Sequence, residues 1–279
     1  MWGYMRKLAI GATLSGALAL TGLAVPVASA SGTPDLTFAG VTVNNGKPLV
    51  VGVSKAVSVP VTYTLTRPKD LVIDQKSTFQ AVVLYRGTLR NIGNELDPET
   101  APSCSATATT DTTVTESCTE SIVVEPGDSL WEAADATTWK AAGLYAHAEG
   151  TVSDDYLHNE TDVSLWGNLA PLTVRRAAQL TANAAPEPVA KGKTLTVKGS
   201  LTRANWETGK YTGYKGQTVL LQFKADGGSY KNVKAITSGT GGALSTTVTA
   251  TRSGTYRFVF TGTATTAAKT SAGDHVTVR

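Results

Sequence analysis

After the turn Lys191-Gly192-Lys193, the chain places Leu195, Val197, Gly199 and Leu201 between Thr194, Thr196, Lys198 and Ser200. A repeat of two marks a half-buried strand, and Pro186 and Pro188 just ahead of it mark the start of a new β domain. The same alternation returns in Val219, Leu221 and Phe223, in Tyr230 to Ile236, in Leu244 and Val248, in Tyr256, Phe258 and Phe260, and in Val276 and Val278. About seven strands in about 100 residues is the strand density of an immunoglobulin-like sandwich, with Tyr256 at the corner position and Phe258 where antibody domains carry a core cysteine.

The earlier part of the chain is read in the same way. Leu36 to Val43 predicts a strand, Asn44-Asn45-Gly46-Lys47 a turn, and Leu49 to Val53 a returning hairpin arm. Val57, Val59, Val61, Tyr63 and Leu65 predict a strand that Pro60 places at an edge or a bulge. Phe79 to Tyr85 is almost uniformly apolar and suits a strand covered on both faces. Arg86 to Pro102 reads as a long loop, Asp135 to Gly143 as a short helical turn with Trp139 pointing inward, and Leu144 to Glu149 as a strand. The expectation is an all-β protein of two sandwiches, residues 31–176 and 177–279, the second Ig-like.

Cys104 and Cys118, the two cysteines of the 279-residue chain, lie symmetrically about Asp111. A hairpin turning through Thr110-Asp111-Thr112 sets them opposite each other, close enough for a disulfide. The amino terminus supplies the compartment that such a bond needs. Arg6 and Lys7 precede an apolar run from Leu8 to Val25, and Ala28-Ser29-Ala30 has the small-x-small form of a cleavage site, so residues 1–30 read as a secretory signal. No anchor is expected in the mature chain. With the leader's two cations removed, 23 Lys and Arg face 22 Asp and Glu, a formal charge of +1. That balance calls for neither nucleic acid nor an anionic membrane.

The run Pro186-Glu187-Pro188, Lys191-Gly192-Lys193, Leu201 to Trp206, Gly213-Tyr214-Lys215-Gly216-Gln217 and Leu221-Gln222-Phe223 resembles an Ig-like module of secreted proteins from high-GC Gram-positive bacteria. The resemblance covers residues 177–279 and implies export and a β-sandwich. Some members of that group are labelled calcium-binding.

Three chemistries compete. Trp206, Tyr211 and Tyr214 stand among Arg203, Lys210 and Lys215, and aromatic faces beside donors suit a cell-wall glycan or a protein ligand. The competing account folds Trp206 and one tyrosine under the loop to close the end of the sandwich. Asp154, Asp155, Glu160 and Asp162 offer oxygens for calcium in the 153–162 loop, although their spacing is not that of an EF-hand. His147, His158 and His275 are scattered, and no nucleophile elbow, zinc-protease helix or phosphate loop is written in the chain. The reading is therefore a secreted, non-enzymatic binding or structural protein, with a calcium-dependent module second and an enzyme third.

Overall fold

The computed structural model describes residues 33–148 and 161–279. The predicted signal at 1–30 lies outside the described residues. The chain is all-β and divides into two compact units: residues 33–49, 56–125 and 137–174, where described, and residues 50–55, 126–136 and 175–279.

The earlier strands are β1 (Thr37–Val43), β2 (Leu49–Val51), β3 (Val57–Pro68), β4 (Thr78–Thr88), β5 (Asn91–Leu96), β6 (Ser103–Thr109), β7 (Thr113–Val124), β8 (Thr138–Ala148), β9 (Thr161–Trp166) and β10 (Pro171–Arg176). One sheet runs β1-β3-β7-β6; the other runs β2-β10-β8-β4-β5, with β9 on β8. Val59, Val61, Tyr63 and Leu65 of β3 are buried, as their alternation requires. Val83, Tyr85, Ala142 and Leu144 form a second buried cluster with Phe79, Leu89, Ile92, Val163 and Leu165. This explains why β4 shows no alternation: both of its faces are covered.

Four expectations change. The 49–53 segment does not return beside β1, because β2 joins the opposite sheet next to β10. Pro60 sits within β3 opposite Ser121 of β7. Strand β1 stops at Val43 opposite Val61, so Pro60 has no β1 neighbour that would need its missing N–H. The predicted loop 86–102 contains a hairpin: β4 turns into β5 through Leu89 and Arg90, with Thr88 opposite Asn91, and Gly87, at φ 106°, sits at a bulge beside Arg86. The predicted helical turn 135–143 is a single 3-10 turn at Ala133–Asp135 followed by β8. Ala141, Ala142, Gly143 and Leu144 are all buried, and such unbroken burial erases the period that separates strand from helix.

Cys104 and Cys118 do face each other across β6 and β7 and form a disulfide, with Cα atoms 4.1 Å apart. A bulge at Ala106/Ala108 restores the register that brings them opposite.

The later strands are β11 (Ala178–Leu180), β12 (Asn183–Ala185), β13 (Thr194–Asn205), β14 (Lys210–Gly213), β15 (Thr218–Ala225), β16 (Lys231–Thr237), β17 (Ala243–Thr249), β18 (Gly254–Phe260), β19 (Lys269–Thr270) and β20 (Asp274–Val276). Long β13 is the spine of one sheet, flanked by β11 and β12 and by β14 and β17. The facing sheet runs β16-β15-β18, continued by β19 and β20. Leu195, Val197, Leu201, Val219, Leu221, Tyr256, Phe258 and Phe260 fill the space between them. Tyr256, within β18, packs its ring on Phe223, centroids 4.5 Å apart.

Gly143 shows how closely the first sandwich is packed. The Phe38 ring lies directly on it, so a Cβ at that position would enter the ring, and Phe38 itself contacts Tyr63 and Trp166. Gly143→Ala is expected to cost about 1–3 kcal/mol through overpacking, read as a lower denaturant midpoint at an unchanged m-value.

Candidate functional site

The aromatic loop of the sequence reading is taken apart by the fold. Trp206 is 2% exposed; its indole N–H donates to the Gly52 carbonyl at 2.9 Å, and the Arg176 guanidinium lies 5.2 Å from its ring. No face is left for a ligand. The hydroxyl of Tyr211 is 3.2 Å from where a Cβ on Gly52 would stand. Tyr214 lies edge-on to Phe260 at 5.9 Å, with the Arg203 guanidinium 4.1 Å above its ring. Arg176 is itself buried, and burial, followed by repulsion from Arg203, lowers its pKa.

Of the four candidate calcium ligands, Asp154, Asp155 and Glu160 lie outside the described residues, as does His158. Asp162 is exposed on β9, opposite His147 on β8. His275 pairs with Asp226 at 3.1 Å on the surface. Among the described residues no group of three or more His, Cys, Asp or Glu side chains could hold a metal ion. No described helix is long and apolar enough to cross a membrane.

A buried polar chain links the two sheets of the first sandwich. Tyr63 Oη donates to Gln80 Oε1 at 2.9 Å and also lies 3.3 Å from Glu120 Oε2, while Val82 N–H donates to Glu120 Oε1 at 2.9 Å. Gln80 Nε2 continues the chain to Cys104 Sγ at 3.3 Å. Burial pushes the Glu120 carboxyl up to about 8, against the Val82 N–H and the Tyr63 hydroxyl, whose hydrogen bonds draw it down. Burial, then the neighbouring Glu120, also raises the Tyr63 phenol. This group works as a neutral cross-sheet bond.

The surface that can accept a ligand lies on the open side of the second sandwich. Here β16 is the edge of one sheet and β17 the edge of the other, and between them is a groove of about 380 Å³, within the size range of ligand pockets. Phe223, Val233, Val248 and Tyr256 line it with apolar surface, and Lys234 and Arg252 line it with charge. Val233 is 44% exposed. The Lys234 ammonium crosses the gap to the Thr247 carbonyl at 2.5 Å. On the opposite, outward face of that sheet, Arg257 lies 3.6 Å from the Tyr230 ring and donates to Gln222, with Lys224 5.3 Å from the same ring. The sequence does carry a signal for this surface: residues 177–279 hold 13 Lys and Arg against 4 Asp and Glu, a formal +9, while 31–176 hold 10 against 18, a formal −8.

No family model matches the chain, and no curated protein matches it. Among solved structures it is similar to the fibronectin(III)-like modules of Clostridium thermocellum CbhA, at 10% identity over 85% of this chain and 92% of that one, with a TM-score of 0.26. It is also similar to a BSP domain of a biofilm-associated protein, at 10% identity over 90% and 53% of the two chains and a TM-score of 0.27. A third likeness is to a variant of BcpA, the major pilin subunit of Bacillus cereus, at 11% identity over 82% and 59% and a TM-score of 0.20. At these values the functional reading is carried by the chain's own geometry.

Two outcomes follow. Trp206→Ala is expected to lower stability by about 3–5 kcal/mol, since it removes a buried indole, measured by urea unfolding. Glu120 binds its proton up to about pH 8 in the fold but only to about pH 4.3 in the unfolded chain, so its contribution to stability is full below pH 4 and falls as pH rises to about 8. Glu120→Gln, which keeps both hydrogen bonds without the titration, is expected to flatten that slope and to melt higher than the wild type at pH 8. An identical pH profile in the two proteins would mean that Glu120 titrates alike in the folded and unfolded chains.

Proposed function

We propose that this chain is a secreted, non-enzymatic binding protein that acts at the cell surface or in the medium, and that the groove between β16 and β17 holds its ligand. The observation that carries the reading is the groove itself: a concave apolar floor, flanked by cations, on a sandwich edge that no other described strand closes. The Cys104–Cys118 disulfide and the leader-like residues 1–30 support export. The resemblance of residues 177–279 to Ig-like modules of secreted proteins points the same way.

What the groove offers is recognition rather than reaction chemistry. Its polar groups are ammonium, guanidinium and threonine hydroxyls, which orient and neutralise a ligand. The ligand class is a cell-wall polymer, a glycan or a protein presenting negative charge. Lys234→Glu combined with Arg252→Glu is expected to weaken retention on purified bacterial wall by roughly tenfold or more, because two attractive charges become repulsive. The check is a sedimentation assay beside a thermal melt. Full retention by a normally folded double variant would remove the groove from the function.

A further inference from the structure

Building on that reading of the groove, we propose that its ligand is an anionic polysaccharide whose sugar rings lie on Phe223, Val233 and Val248 and whose charges meet Lys231 and Lys234. The β16 register carries the argument. Phe223 pairs with Lys231 and Leu221 with Lys234, and a bulge falls between Leu221 and Gln222. Cross-strand partners point to the same face. Phe223 and Leu221 both face the core, so both lysines stand on that side of the sheet at its edge, with Lys234 lining the groove. Positions three apart in a regular strand would face opposite ways. The extra residue, Val233, is the one left exposed in the groove. The bulge thus puts two lysines on one face of the edge strand, opposite residues two apart on β15 and so roughly 7 Å apart along the strand, with an apolar side chain between them. That spacing suits a polymer whose negative charge recurs along the chain and whose intervening rings present C–H faces.

The surrounding field has the same sign. Arg252 lines the groove with Lys234, and the acid Asp226 is paired with His275. A partner β-strand fits less well. The Thr247 carbonyl on the β17 edge is already taken by Lys234, and an inserted strand would have to strip two lysines of water, which is how natural edges repel strands. A double helix is too broad and stiff to enter a groove of about 380 Å³. The anion is either a carboxylate on the sugar or a phosphodiester between units, and the two are separated experimentally.

The test is calorimetry of the intact exported chain with four probes: a polyuronate, a poly(glycerol phosphate) wall polymer, neutral dextran and duplex DNA. Binding of one or both anionic wall-type polymers, absent for dextran and weaker for DNA, is expected. Two lysine contacts predict a loss of roughly tenfold between about 50 and about 200 mM salt. Lys231→Gln with Lys234→Gln is expected to remove most of the binding, while Lys198→Gln, at an exposed site on the other sheet, keeps it. Dextran bound as tightly as the polyanions, or salt-independent affinity, would overturn the anionic ligand and leave the groove as a site. DNA bound equally well would overturn the choice of glycan. Polyanion binding undiminished in the double lysine variant, or no binding to any probe, would overturn both this inference and the role of the groove.

Discussion

Two stacked sheets always leave open sides, and in the second sandwich one of these is bridged by a lysine. The Lys234 ammonium reaches from β16 across to the backbone of β17. A charge on the edge discourages a foreign strand from pairing there. Phe223, Val233 and Val248 line a recess beside it rather than a sealed core. The device that keeps the edge soluble is thus also what gives the surface its combination of charge and apolar floor. The proposed binding role depends on that arrangement.

Elsewhere, the chemically conspicuous side chains are already in use. Trp206 spends its N–H on Gly52, a residue 154 positions earlier, and its ring lies against a buried arginine. Glu120, Tyr63 and Gln80 satisfy one another between the sheets of the first sandwich. Buried polar groups must be paired, and each pairing here takes a candidate away from ligand chemistry. Phe223, Val233 and the lysines of β16 differ in that their contacts leave apolar surface and charge open to solvent.

Much of the architecture was legible because strands with one wet face must alternate. The stretches around Leu195, Val219 and Tyr256 needed only that rule, whereas the opposition of Cys104 and Cys118 rests on hairpin symmetry together with the bulge at Ala106/Ala108. The misreadings have physical causes. Strand β8 is buried on both faces, so Ala141 to Leu144 lost their period and looked helical. Trp206 looked like a ligand platform because its partner, Gly52, is remote in sequence. The groove was hidden twice over. A charge of −8 on residues 31–176 nearly cancels +9 on 177–279, giving a bland total, and the bulge that turns Lys231 and Lys234 to the same side is a matter of register that no residue pattern announces.

The central claim is that ligand contact occurs at the open edge of the second sandwich and not at the Trp206 loop. Backbone amide NMR of the labelled protein, titrated with solubilised wall polymer, tests it most directly. The account predicts shifts confined to Phe223, Lys231 to Lys234 and Thr247 to Arg252. Shifts centred on Trp206 and Tyr211, with the β16 edge unmoved, would contradict it.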